Sequence, residues 1–154
     1  MSTHTGASGL YVGDETRAVQ GRSDALLLLG RVLLGSIFVI SGYAKLTGLA
    51  AFAASLEKNG VPYASMLAPV GAGVEFFGGL AIVLGVEVRA AALLMIAFVI
   101  VATLISHRFW ELADAARRAQ ATQFSKNVAI IGSFVLLYAA GGGRWAVERL
   151  WRRA

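Results

Sequence analysis

Four stretches of the chain are almost free of charge and dense in Leu, Ile, Val, Phe and Ala. They run from Ala25 to Ala44, Leu67 to Val86, Ala90 to Ser106, and Asn127 to about Gly141. A helix needs about 20 largely apolar residues to cross a bilayer, and these stretches approach or meet that length. The first is interrupted only by Arg31 and the second only by Glu75, while the third and fourth carry no charge. The first contains eleven Leu, Ile, Val or Phe residues. At roughly −0.3 to −0.6 kcal/mol each, these offset one central Arg at about +2.5 to +3.5 kcal/mol. The second holds ten such residues but also five glycines, Pro69 and Glu75, so its insertion depends on packing against its neighbours. The pattern predicts an all-α, multi-pass, antiparallel four-helix membrane bundle, with helices over about 25–46, 67–86, 90–106 and 127–141.

The connections fill in the organisation. Residues 1–24 are polar and rich in Gly, Ser and Thr, which predicts a disordered tail. The first apolar run begins too late and runs too long for a signal peptide. Thr47 to Met66 contains Gly60-Val61-Pro62, a turn signal. Glu87-Val88-Arg89 is so short a link that helices two and three must form a hairpin. Residues 107–126 form a polar linker. As a helix they align Phe109, Leu112, Ala113, Ala116 and Ala119 on one face and Asp114 with Arg118 at i, i+4, which predicts a helix lying on the membrane. Residues 144–154 alternate apolar and basic positions, with Trp145, Val147, Leu150 and Trp151 set to dip into the interface.

Composition agrees with a lipid solvent. Of 154 residues, 57% are hydrophobic and 15% charged, against about 45–50% and 25% in soluble domains. The net charge of +5 does not form a patch suited to nucleic acid; it lies between and beyond the apolar runs, where basic groups meet lipid headgroups. Seven Arg residues flank the side that holds both termini, against four basic loop residues on the other, or six if Lys45 and Lys126 count as loop. This bias predicts that both termini are cytoplasmic. With no Cys, the chain has no disulfide, iron–sulfur or thiol chemistry. His4 and His107 are the only histidines; His4 sits in the polar tail, which argues against a bis-histidine haem. No metal set is expected.

Ionisable groups at membrane depth mark an interior face or a wet cavity, because each costs a few kcal/mol unless paired. They are Arg31, Lys45, Glu75, His107 and Lys126. Helical spacing aligns Arg31, Gly35, Phe38, Ser41, Gly42 and Lys45 on one stripe of the first helix. Gly71, Glu75, Gly78 or Gly79, Ile82 and Arg89 align on the second. Glu75 is thus expected to face the bundle and to pair with Arg31 or Lys45. A register-fixing ion pair, a proton relay and a contact to a quinone headgroup or substrate all fit it. His107 reads as a proton carrier, as a hydrogen-bond partner for a quinone, or as an interfacial anchor beside Arg108, Phe109 and Trp110.

These residues resemble the DoxX family of small bacterial integral membrane proteins. Gly30-Arg31 followed by Ser41-Gly42-Tyr43-Ala44-Lys45 is similar to that family's G-R and S-G-x-x-K signature. Glu75-Phe76-Phe77-Gly78-Gly79 is similar to its E-x-x-G-G, and Gly85-Val86-Glu87-Val88-Arg89 to its G-x-x-x-R turn. His107 and Lys126-Asn127 fall where the family tends to have them. The likeness extends over roughly Leu26 to Gly142. It implies four transmembrane helices, a cytoplasmic (inner) membrane location and an association with redox systems, through quinone or a partner oxidoreductase. It makes Arg31, Ser41, Lys45, Glu75, His107, Lys126 and Asn127 candidate site residues, with Gly42, Gly78, Gly79, Gly85 and Arg89 serving turns and packing. A non-catalytic scaffold, alone or as a homo-oligomer, and a small proton-coupled transporter using Glu75 are the competing readings.

Overall fold

The computed structural model describes the backbone of residues 8–151 and side chains from residue 21 onward. The helices are α1 (Ser8–Thr47), α2 (Leu49–Lys58), α3 (Ala64–Leu84), α4 (Val88–Ser106), α5 (Asp114–Ala140) and a single turn, α6 (Glu148–Trp151). A 3₁₀ turn, Phe109–Glu111, separates α4 from α5. Four segments are long and apolar enough to cross a membrane: Gly21–Thr47, Ala64–Leu84, Val88–Glu111 and Asp114–Ala140. The protein is an all-α, multi-pass membrane protein.

Several boundaries differ from the sequence expectation. Residues 8–24, expected as part of a disordered tail, continue α1; no proline interrupts them, so the helix of the first span propagates backward at one hydrogen bond per residue. Residues 1–7 of that tail, with His4, lie outside the described residues. The connection after α1 is not all loop. Leu49–Lys58 is rich in Ala and Leu, good helix formers, and folds as α2 up to the Asn59-Gly60 turn. Residues 107–126 are not a separate surface helix either. The 3₁₀ turn takes up Phe109–Glu111, and α5 then runs unbroken from Asp114 into the fourth span. The interfacial tail also differs: Ala146 is buried, and Val147 donates its N–H to the Leu84 carbonyl at 3.2 Å. The segment after α5 folds back onto the α3–α4 turn, while Trp145, Leu150 and Trp151 stay exposed. Residues 152–154 lie outside the described residues.

The bundle is a row in which α3 packs on α1 and α4, and α4 on α5; the backbones of α1 and α5 stay apart, and the two helices meet through Phe38 and Phe134. Its core joins Phe38, Ile82, Val88, Ala92, Met95 and Phe134, with the Phe38 and Phe134 rings 5.5 Å apart. Large side chains such as Leu29, Leu33, Ile40, Val101 and Leu136 face outward, as they should where the solvent is lipid.

The seam between α1 and α3 is made by missing side chains. A Cβ at Gly42 would stand 2.6 Å from the Phe76 nitrogen, and one at Gly35 would stand 2.7 Å from the Gly79 carbonyl oxygen. Lipid tails are as apolar as Leu, so helices in a bilayer associate through such close backbone contact. The helices meet because the cross-seam residues are glycines. Gly42→Ala is therefore expected to lower the stability of the detergent-solubilised protein by about 1–3 kcal/mol, read as a lower thermal-unfolding midpoint. Gly132→Ala on the outer face of α5, where nothing lies within 4 Å of the added carbon, should leave that midpoint unchanged or raised.

Candidate functional site

The α1–α3 seam delivers Lys45, near the end of α1, to Glu75, near the middle of α3. Lys45 Nζ lies 2.5 Å from Glu75 Oε2. The carboxylate is 5% exposed and the ammonium side chain 32%. Phe52 of α2 places its ring 5.1 Å from the same Nζ. An ion pair at membrane depth is thus closed on one side by glycine-mediated helix contact and bordered on another by an aromatic face. The ring's negative quadrupole also favours the cation. Of the two partners open to Glu75 from spacing alone, Lys45 is the one it meets.

Arg31 serves a different purpose at the opposite end of the bundle. It is 1% exposed. Its Nη2 donates to the Trp145 carbonyl at 3.2 Å, while Nε and Nη1 are buried without hydrogen-bond partners. The guanidinium lies against Gly85, where a Cβ would collide with Nη1. Gly85 has φ +78°, the left-handed helix cap that glycine adopts without penalty. Position 85 is thus restricted twice, by backbone conformation and by Arg31.

The returning C-terminal segment completes this end. Glu148 donates its N–H to the Gly85 carbonyl at 3.0 Å. Its Oε2 accepts the Val88 N–H at 2.9 Å, so a carboxylate sits on the first turn of α4, where the helix dipole favours negative charge.

The end of the bundle that holds the α1–α2 and α4–α5 connections is tied by hydrogen bonds and aromatic contacts. Asn127 Nδ2 donates to Thr103 Oγ1 at 2.8 Å, and that hydroxyl donates to the Val99 carbonyl at 2.6 Å. His107 Nδ1 lies 2.7 Å from Gln120 Oε1, an arrangement in which the ring nitrogen donates. Arg108 Nη2 donates to the Asn59 carbonyl at 2.8 Å, joining the 3₁₀ turn to the α2–α3 connection. The rings of Phe109, Trp110 and Phe124 meet edge to face at 5.3–6.2 Å.

The candidate residues therefore form three centres rather than one. Lys45 and Glu75 are together. His107 and Asn127 each tie α4 to α5. Arg31 is at the far end. Lys126 is exposed and Ser41 half-buried, and neither joins these hydrogen bonds. Gly42 and Gly79 form the α1–α3 seam, Gly78 lies against Met95 of α4, and Arg89 is exposed beside Gly141. Among the described residues, no three His, Asp or Glu side chains converge as a metal set. Sequence reading missed Thr103, Gln120, Phe52 and Glu148. Two of these carried a signal: Thr103 is a polar position in an apolar run, and Glu148 is the one acid among the basic residues of the tail.

The order of these residues along the chain corresponds to a known group. The sequence pattern of the DoxX family matches residues 26–108, which hold Arg31, the glycine seam, Lys45, Glu75 and Gly85. The chain belongs to the DoxX family. It is 32% identical to "Inner membrane protein YqjF" of Escherichia coli K12, over 82% of this chain and 92% of that one. It is 31% identical to "Inner membrane protein YphA" of the same organism, over 80% and 89%. No solved structure matches it. This DoxX member is a multi-pass integral protein of the bacterial inner membrane. Lys126 and Asn127 fall beyond the family match, whereas both members of the ion pair fall within it.

Two outcomes are expected. Glu75→Gln, which leaves the partly exposed Lys45 without its counter-charge, should cost about 1–3 kcal/mol. Lys45→Met, which strands the more deeply buried carboxylate, should cost more. The double variant should cost less than the sum, as a double-mutant cycle of thermal unfolding will read. Glu148→Ala should lose about 0.5–2 kcal/mol, the range of a helix cap, and should speed proteolysis within residues 141–147.

Proposed function

We propose that the protein is a redox-associated accessory subunit of the inner membrane that contacts a quinone or a partner oxidoreductase and holds no electron carrier of its own. The observation that supports this reading is the grouping of Lys45, Glu75 and Phe52. An ammonium about one-third exposed is a ready donor to a quinone carbonyl oxygen. The Phe52 ring 5.1 Å away is a surface on which a flat headgroup packs. Glu75 holds the cation in position. Without cysteine in the chain, an electron has no thiolate-ligated cluster here to enter, so the redox centre belongs to the quinone or to the partner. The excess of basic residues on the side of both termini favours a cytoplasmic position for them.

A scaffold reading has its own support, because Gly42, Gly79 and Gly85 all serve close packing. The transporter reading rests on the buried carboxylate of Glu75, which is suited to proton coupling.

One purification separates them. The protein is extracted from native membranes in mild detergent. Its copurifying proteins are identified by mass spectrometry, and its quinone content is measured after solvent extraction. The accessory reading expects quinone or an oxidoreductase with the native chain, and loss of quinone from the Lys45→Met/Glu75→Gln variant while that variant still folds. Recovery of a stable complex with neither quinone nor an oxidoreductase leaves the scaffold. Proton-coupled flux in liposomes that is abolished by Glu75→Gln supports the transporter.

A further inference from the structure

The chain after α5 is attached by different means from the spans. Gly141–Gly143 ends the helix, with φ +74° at Gly141 and +72° at Gly143. The chain then crosses the Gly85 turn as Arg144–Trp151. In that segment only Ala146 is buried, and Trp145, Leu150 and Trp151 are exposed. What holds it is polar. Asp24 Oδ1 accepts the Arg144 N–H at 2.8 Å, and Arg31 donates to the Trp145 carbonyl at 3.2 Å. Val147 and Glu148 donate to the Leu84 and Gly85 carbonyls, and the Glu148 carboxylate accepts the Val88 N–H. A segment tied by hydrogen bonds, with so little buried apolar surface, opens at a lower free energy than the core.

The docked segment also seals a cation that it does not satisfy. Arg31 is 1% exposed, and its Nε and Nη1 have no hydrogen-bond partner among the described residues. The space that a Cβ would take at Gly85 is bordered by both Arg31 Nη1 and Ala146, so the segment lies over the guanidinium. Buried donors without partners carry a desolvation cost that water would relieve. Lifting the segment lets water reach them, which offsets part of the hydrogen bonding given up. The glycines at 141–143 supply the joint, since no side chain limits rotation there. Gly142 is also the tightest point of the docked position. A Cβ there would stand 2.6 Å from Ala146 Cβ, 2.8 Å from Glu148 Oε1 and 2.9 Å from Val88 Cγ2.

We infer that Arg144–Trp151 is a hinged strap, which opens about Gly141–Gly143 while the four spans stay packed and so gates the access of water to Arg31. Closed, it seals the guanidinium beneath Trp145 and Ala146. Open, it hydrates the guanidinium and frees the carbonyls of Leu84 and Gly85. Arg31 also borders the apolar space between α1 and α5, so the open state sets a hydrated cation at the edge of that space.

The chain has no cysteine, so a single introduced thiol reports one position. The full chain in lipid nanodiscs carries either Ala146→Cys or, at the opposite end of the bundle, Ala64→Cys, and is treated with a water-soluble maleimide. Ala146 is 3% exposed and Ala64, packed with Leu56 and Ala68, is 7%. The more deeply buried position 146 is expected to react at least about tenfold faster, because it is uncovered without unfolding of the bundle. Adding Gly142→Ala, whose methyl displaces the strap, is expected to raise the rate at 146 by about a further tenfold. The rate at 64 and the helix content by circular dichroism should stay unchanged. With isotope-labelled arginine, the Arg31 Nε–H signal is assigned by its absence from Arg31→Lys. Its exchange with solvent is expected to quicken in Gly142→Ala. The comparison of 146 with 64 stands without the glycine variant. Equal labelling at the two positions, acceleration by Gly142→Ala at both or at neither, or an Arg31 Nε–H exchange that the variant leaves unchanged would overturn the proposal.

Discussion

Lys45 reaches Glu75 because two helices meet backbone to backbone. In water, an ammonium and a carboxylate can stand apart at little cost. In hydrocarbon each must find its opposite, and the protein has to bring them together. Glycines at 35, 42 and 79 remove the side chains that would hold α1 and α3 apart. Phe52 then borders the pair from α2. The helix seam and the intramembrane charges are thus one feature: without the seam the charges are stranded, and without the pair the seam carries two costly residues. The mid-membrane contact of this fold is specified by small residues and one ion pair rather than by bulk apolar packing.

The other end obeys a different rule. There the problem is orphaned backbone, since a two-helix hairpin leaves carbonyls at the end of α3 and N–H groups at the start of α4. The chain answers it with its own C-terminal segment. Val147 and Glu148 donate to the Leu84 and Gly85 carbonyls, and the Glu148 carboxylate accepts from Val88. Arg31 then fastens the segment through the Trp145 carbonyl. The Gly85 turn is a junction of three parts of the sequence that lie more than fifty residues apart.

Much of this was legible beforehand because a bilayer imposes few solutions. Charge-free runs of sufficient length must be helices, since hydrocarbon leaves backbone groups no other partner. Hence the four spans could be read directly. The Lys45–Glu75 stripe followed from helical spacing, but the choice between Lys45 and Arg31 did not; spacing gives a residue's face and depth, while its partner depends on how far a side chain reaches across the seam. The elements misread lie where lipid does not decide. Leu49–Lys58 is helical where a connection with a turn was expected, and Asp114–Lys126, expected in a separate helix on the membrane surface, is continuous with the fourth span. The tail from Arg144 was read by its alternation of Trp and Arg, whereas its position is set by Glu148 and by carbonyls of the α3–α4 turn. Thr103 and Gln120 escaped notice because single polar residues acquire meaning only from Asn127 and His107 on the neighbouring helix.

The length of α5 has a mechanical consequence. Its 27 residues extend about 40 Å at the helical rise, whereas the hydrocarbon layer is about 30 Å thick. Some two turns must stand clear of the lipid, and the polar residues Asp114, Arg117, Arg118 and Gln120 lie in those turns. One continuous rod therefore links the membrane interior to the aqueous layer. His107 and the Phe109–Phe124 contact brace it just where it leaves the bilayer. A sideways force on the protruding turns would act on α5 as on a lever, with that brace as its fulcrum. It would load the opposite end, near Ala140, against the Phe38–Phe134 contact and the hydrogen bond from the Arg144 N–H to Asp24 of α1.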